Sequence, residues 1–242
     1  MNAVITAGAR VDGEFAGRIG TDVKALARIG NRTMLQASIE AARGAGATRI
    51  AVVGGAEIRA ACGESVDCVI DEADGETNIR RALNAWELDA PLLYLTSDMP
   101  FIDALALRAL LQRVPSDALA LPLTDCADFE RRFPSAPPFG VELAGERVVN
   151  GGAFWIPPYG AAKIEAFAVR FFNARKSVPR MAALLGPLLC VRFALRRLSI
   201  EVLERRAHHV LGIPARAIRG ASPDIAYDVD TYEEYVYAAE RA

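Results

Sequence analysis

Short, uninterrupted apolar runs alternate with stretches of helical period along the first half of the chain. Ala3–Thr6 reads as a buried strand, and it empties into the small-residue loop Ala7-Gly8-Ala9-Arg10. Thr33 to Arg43 carries Leu35, Ile39 and Ala42 on one helical face, with Thr33 as N-cap and Gly44 or Gly46 as the stop. Arg49–Val53 predicts a second strand closed by Gly54-Gly55, Glu57–Cys62 a short helix, and Asp67–Ile70 a third strand. The polar turn Asp71–Asn78 leads into a helix over Ile79–Trp86, and Pro91–Thr96 is a fourth strand ending at Ser97-Asp98-Met99-Pro100. Repeated βα units of this length predict an α/β fold, Rossmann-like, with a mainly parallel sheet and helices on both faces. Ligands then bind at the carboxyl ends of the strands, where the loops at Gly8, Gly54, Gly75 and Asp98 fall.

The second half is less regular. Ala118–Leu123 predicts a strand, and the polar, aromatic and Pro-rich residues Thr124–Pro138 a substrate loop or hairpin. Val141–Leu143, Arg147–Val149 and the run from Asn150 to Ile156 look like antiparallel additions to the sheet. Residues Ala161–Leu211 read as helical, with two helices around Gly186-Pro187, followed by a strand near Ile225-Ala226-Tyr227 and a final helix from Tyr232. No repeat or low-complexity linker interrupts residues 1–242, which are expected to form a single domain.

Composition narrows the function classes. With 242 residues, 52% apolar and 24% charged, the chain can bury a sizeable core. A net charge of −2 without a polybasic run argues against nucleic acid as partner. The longest apolar run, Met181–Val191, is broken by Gly186-Pro187 and is too short to span a bilayer. The N-terminus lacks a signal-peptide layout. Cys62, Cys68, Cys126 and Cys190 show neither CxxC nor metal-ligand spacing, and are expected to be reduced core residues of a cytoplasmic protein.

Three features carry candidate chemistry. The loop at Gly8 lets backbone N–H groups approach phosphate oxygens, with Arg10 and Lys24 as nearby cations. Asp98 lies just past the end of a central strand, in a turn stiffened by Pro100. Asp228 and Asp230 are two apart, so in an extended segment both point at one place. Asp98 and Asp230 converging near Lys24 would offer Mg²⁺ its preferred hard oxygen ligands. Each feature has a plainer explanation. The Gly8 loop can be an ordinary strand-to-helix turn, Lys24 a solvated lysine, and Asp98 the cap of a helix near Ile102, a role Asp103 can also take. Asp228 can orient or cap its own segment. Thr77 and Asn78 are natural N-cap residues, and His208-His209 read as surface or packing residues.

The order of these features resembles the MobA-like NTP transferases, of the GT-A-type nucleotidyltransferase group. The resemblance rests on a strand, an AG loop, Lys-Ala-Leu, GG after strand two, D-x-P at Asp98 and the late D-x-D-T-x-E-[ED] from Asp228, and it spans roughly residues 2–240. It implies Mg²⁺-dependent transfer of a nucleoside monophosphate from an NTP to a phosphorylated small molecule, with release of pyrophosphate. It further implies an NTP-binding half over 1–123, an acceptor and lid region over 124–211, and a metal-ligand strand and helix over 212–242. Ala7, Gly8, Ala9 and Arg10 would hold the phosphates with Lys24. Gly54, Gly75, Thr77 and Asn78 would line the base and ribose pocket, and Asp98 and Asp230 would ligate the metal. Asn150, Gly151 and Gly152 are acceptor-side candidates, as is Lys176, whose basic pair with Arg175 is equally a helix terminus.

The chain departs from the family pattern at Ala9 and Val23, where a glycine and a proline are usual, and in the acidic insertion carrying Asp12, Glu14 and Asp22. A nucleotide-binding regulatory protein without transferase chemistry, and a GT-A glycosyltransferase, therefore stand as alternatives. The Arg-bearing helix over Met181–Leu198 is expected in the core or a homodimer, with a membrane-surface role as the lesser alternative.

Overall fold

A strand that is apolar on both faces is stable only between two helix layers, and Asn2–Thr6 (β1) lies there, paired in parallel with strands on either side. The computed structural model of the chain describes residues 1–137, 139–174 and 177–241. After β1 come α1 (Gly13–Ile19), β2 (Arg28–Ile29), β3 (Arg32–Thr33), α2 (Met34–Gly44), β4 (Arg49–Val53), α3 (Ala56–Cys62), β5 (Cys68–Ile70), α4 (Gly75–Leu83), β6 (Leu92–Thr96) and α5 (Ala104–Leu111). The second half runs β7 (Leu119–Asp125), α6 (Cys126–Arg132), β8 (Val141–Leu143), β9 (Glu146–Asn150), β10 (Ala153–Ile156), α7 (Gly160–Ala174), α8 (Val178–Leu185), α9 (Pro187–Ala194), α10 (Ile200–Leu211), β11 (Ala215–Arg219), α11 (Pro223–Ala226) and α12 (Tyr232–Ala239).

Nine strands form one sheet in the order β5-β4-β1-β6-β10-β7-β9-β8, with β11 beside β7. The β5-β4-β1-β6 half is parallel, and β10 and β9 run antiparallel to their neighbours. Alternation along the strands divides the core. Ala3 and Ile5 of β1, with Leu93 and Leu95 of β6, pack toward Leu35, Ile39 and Leu107 on one face. Val4 of β1 and Leu92 of β6 join Ile164 and Leu211 on the other. A third cluster, largely aromatic, surrounds the fully buried Tyr227, whose ring contacts Phe101, Phe129, Phe133, Phe139 and Tyr237. Among the described residues no helix is long and apolar enough to cross a membrane.

The predicted α/β architecture holds, as does the Thr33 N-cap, which forms a capping box with Gln36. Several local expectations do not. The acidic insertion is not plain loop, because α1 occupies it and buries Phe15 against Tyr232 and Tyr235. Thr124–Pro138 is not a hairpin: β7 continues to Asp125 and α6 follows, burying Cys126 and Phe129. Nor is there a strand at Ile225. Ser222 accepts from Asp224 N and Pro223 sits in the first turn, so the segment winds into α11. The last strand is instead β11, parallel to β7. The single break foreseen at Gly186-Pro187 is real, but α7 to α10 make four helices of that region. All four cysteines are free, with Cys62 and Cys126 buried.

Candidate active site

The loop after β1 is held by its own backbone. Ala7 N donates to Val53 O at 2.8 Å, and Lys24 N donates to Ala9 O at 3.0 Å. Val11 N donates to Asp22 O at 2.8 Å, and Arg10 forms an antiparallel bridge with Val23. The excursion through α1 thus closes on itself and returns Lys24 to the root of the loop. Gly8 sits where a Cβ would lie 3.1 Å from Asn78 Nδ2 and 3.2 Å from Glu72 Oε2, so the absent side chain keeps this floor open. Ala9 is not among the residues with positive φ, and its methyl group is tolerated there.

Lys24 is not a solvated lysine. Its side chain is only 7% exposed, and its Nζ donates to Asp98 Oδ2 at 2.7 Å and Asp230 Oδ1 at 2.6 Å. Burial works against the ammonium charge, but the two carboxylates outweigh it and hold the lysine above its ordinary pKa. Asp98 does not cap the following helix, since Asp103 accepts from Ala106 N and takes that role. One oxygen, Asp98 Oδ1, is buried with no hydrogen-bond partner. Val229 N donates to Asp98 O at 3.0 Å, which ties the acidic segment to the end of β6. Thr231 and Glu234 then cap α12 reciprocally, and Glu234 Oε2 also accepts from Asp230 N. Asp228 completes the cluster. Burial, with the charges of Asp98 and Asp230, pushes its carboxyl up to about 7, against a smaller opposing effect of Lys24.

This donor set fits a divalent cation. Two carboxylates meet at one point, one of their oxygens lacks a partner, and all are hard ligands. Among the described residues no three or more His, Cys, Asp or Glu groups form a ready-made cage. A cation here would take its remaining ligands from water or substrate phosphates.

Beside the cluster lies a cleft of about 380 Å³. Gly8, Ala9, Arg10, Gly75, Asn78 and Asp98 line it as expected. Three expected lining residues stand behind the surface. Ala7 is fully buried. Gly54 packs on Ile58 while its N–H bonds Ile70 O, leaving Val53 to face the cleft. Thr77 neither caps α4 nor lines the cleft, because Asp74 is the cap and receives both the Thr77 N–H and hydroxyl. Asn78 is no cap either: its amide brackets Ala73, donating to Ala73 O and accepting from Ala73 N.

Asn150 is exposed, while Gly151 N donates to Pro122 O and Gly152 O accepts from Thr96 N. Gly152 thus buttresses the cleft wall at Thr96. Lys176 lies outside the described residues. His208 and His209 are exposed on the last turn of α10.

Arg10 meets three acids, Asp22 at 3.0 Å, Glu57 at 3.4 Å and Glu72 closer still. The hydrogen bond to Glu72 leads in holding the guanidinium above its ordinary pKa. Sequence reasoning missed Glu72, and also Tyr94 and Thr96, which line the cleft. The period-2 spacing of Tyr94, Thr96 and Asp98 was the available signal.

Comparison with known proteins gives a consistent picture. Residues 3–205 match the model of the MobA-like NTP transferase domain family. No curated protein sequence matches. A solved structure of a hypothetical transferase from Thermus thermophilus is 27% identical, with a TM-score of 0.85, covering 97% of this chain and 100% of that one. A nucleotidyl transferase from Methanothermobacter thermautotrophicus shares the fold at 15% identity and TM-score 0.59, covering 99% and 96%. A Mycobacterium tuberculosis H37Rv protein in complex with manganese shares it at 16% identity and TM-score 0.53, covering 100% and 98%.

Proposed function

The chain belongs to the MobA-like NTP transferase family, and on that premise we propose that it transfers a nucleoside monophosphate from an NTP to a phosphorylated small molecule in the cytoplasm. The observation that carries this reading is the meeting of Lys24, Asp98 and Asp230, with one Asp98 oxygen left free beside a cleft that opens at the end of β6.

An oxygen of the acceptor phosphate attacks the α-phosphorus in line. A new P–O bond forms, the bond from the α-phosphorus to the bridging oxygen breaks, and pyrophosphate leaves with the electron pair. An ionised phosphate needs no general base, so the protein's work is positioning and charge stabilisation. Gly8, Ala9 and the Arg10 guanidinium face the triphosphate, held from behind by Ala7, whose own amide bonds Val53 O, with Gly75 and Asn78 beside the base and ribose. Gly54 and Thr77 support that wall from behind. Lys24 keeps Asp98 and Asp230 together and offers positive charge to the phosphates. Mg²⁺ held by Asp98 and Asp230 would supply further neutralisation of phosphate charge; the manganese complex of the M. tuberculosis neighbour supports a divalent ion. Asn150, Gly151, Gly152 and Lys176 are assigned to the acceptor side.

The family pattern's missing glycine does not argue for a binding-only protein, since Ala9 avoids the left-handed region where its methyl group would clash. The test is thermal shift with each of the four NTPs and Mg²⁺, followed by pyrophosphate release with pooled phosphorylated metabolites. An NTP-specific shift and metabolite-dependent pyrophosphate are expected. A chain that binds no NTP would refute the proposal.

A further inference from the structure

The central strands β6, β10 and β7 carry large apolar side chains that the helices, among the described residues, cover only in part. Tyr94 on β6 and Phe154 on β10 are register partners, with ring centroids 6.0 Å apart. They share one face of the sheet with Leu119 and Leu121 of β7, and all four are only partly buried. Interior strands of such a sheet normally have both faces sealed. On this face α4, α7 and α10 stand off, leaving a cavity of about 350 Å³ walled further by Phe167 and Ala168. Polar atoms are almost absent from its wall, and Phe171 beside it is 44% exposed. An open, apolar recess of this size is the form of a ligand pocket, not of a packed core.

The recess adjoins the cleft described above. Ile79, Tyr94 and Phe172 line both spaces. On β6, Tyr94 and Thr96 point the same way, roughly 7 Å apart, and the acidic cluster begins two residues further on. A molecule with its phosphate near Lys24 and Asp98 would pass Thr96 and then meet the apolar wall that begins at Tyr94.

We propose that this recess binds the hydrocarbon portion of the acceptor, so that the acceptor is a monophosphate of an aliphatic or isoprenoid chain. The identity of the acceptor rests on the transferase reading above; the recess itself does not. The product is a nucleoside diphosphate ester of that chain, formed by the same attack on the α-phosphorus with pyrophosphate as leaving group. At about 30 Å³ per water-sized group, the recess holds roughly ten methylenes. Each buried methylene should strengthen binding about fourfold.

The test is calorimetric titration of ethyl to dodecyl monophosphates, below micelle formation, onto the full chain. The expected result is affinity rising about fourfold per methylene and levelling near ten carbons. Ala168→Phe, which narrows the recess from α7, should abolish that dependence, and Ala207→Phe on α10 serves as a second filling variant. NTP thermal shift reports whether each variant remains folded. Affinity independent of chain length, or a length dependence unaltered in a folded filling variant, overturns the proposal. NTP binding without chain-length dependence leaves the transferase reading standing and removes the recess from it. Chain-length dependence in a protein that binds no NTP keeps the recess as an apolar-phosphate site and refutes the transferase.

Discussion

Replacing Lys24 with Met should destabilise the metal-free protein and make it depend on divalent cations. Met keeps an unbranched chain of similar length, so the change removes charge with little loss of packing. Lys24 and Asp98 have side-chain exposures of 7% and 17%, and their contact is 2.7 Å. Breaking one side of a buried pair costs about 3–5 kcal/mol, because the remaining carboxylate stays buried without its counter-charge. Asp230 is 68% exposed and adds no more than about 1 kcal/mol. For a chain of 242 residues this corresponds to a fall in Tm of roughly 10 °C. Loss of Lys24 also removes a cation that lowers the Asp228 pKa, so that group takes up its proton at still higher pH. The assay is urea and thermal denaturation at pH 8, in EDTA and then in Mg²⁺. Mg²⁺ should restore Lys24→Met by more than it stabilises wild type. A loss under 1 kcal/mol, or equal Mg²⁺ stabilisation of both proteins, would refute the account of Lys24 as the counter-charge of a cation site.

Asp228→Asn tests the buried proton. The folded pKa of about 7 lies above the ordinary 3.8, so the stability Asp228 contributes is complete below about pH 3.8 and is lost as pH rises through 7. Metal-free Asp228→Asn should therefore be the more stable protein at pH 8, by at most about 4 kcal/mol, and should lack that decline in urea titrations between pH 4 and 8. Asp98→Ala and Asp230→Ala should abolish pyrophosphate release while keeping the far-UV spectrum; normal turnover in both would remove them from the metal site. Gly152→Val should cost about 1–3 kcal/mol in urea midpoint analysis, because a Cβ there runs into Thr96 Oγ1 and lies 3.1 Å from Met99 Sδ. Arg10→Ala should weaken NTP binding several-fold with less effect on stability, since its partners Asp22 and Glu57 are half exposed; unchanged affinity in calorimetry would place Arg10 outside the phosphate site.

The parallel half of the fold was legible because burial on both faces writes itself as short apolar runs: β1, β4 and β6 lie where Ala3–Thr6, Arg49–Val53 and Pro91–Thr96 predicted strands. The misreadings concentrate where local chemistry and tertiary packing compete. Ile225-Ala226-Tyr227 is as apolar as a strand, but Ser222 and Pro223 start a helical turn and Tyr227 is drawn into the aromatic cluster. β11, Ala215–Arg219, alternates Arg with small apolar residues, and only its position beside β7 gives that pattern meaning. The acidic insertion looked like loop because α1 lacks a side-chain cap and spans seven residues; Phe15, packed on Tyr232 and Tyr235 more than 200 positions away, anchors it.

The site was legible as a set of residue types and not as a geometry. Asp98 and Asp230 were identifiable because a carboxylate after a central strand and a D-x-D segment are local features. Lys24 was identifiable beside them through the family resemblance, but its burial between two acids was not, for nothing local in Val23-Lys24-Ala25 indicates it. That arrangement requires the backbone bridge Arg10 to Val23 to bring Lys24 back to the loop, and the Val229 to Asp98 bond to bring Asp230 to it. Both are long-range pairings that cost chain entropy, and the side-chain ion contacts alone would not repay it. The aromatic cluster around Tyr227 adds burial to them, packing α11 and the segment that leads to Asp230. The acidic half of the site is thus set by hydrophobic packing outside the cleft, and this is why Asp228 can be held in a position that raises its own pKa to about 7.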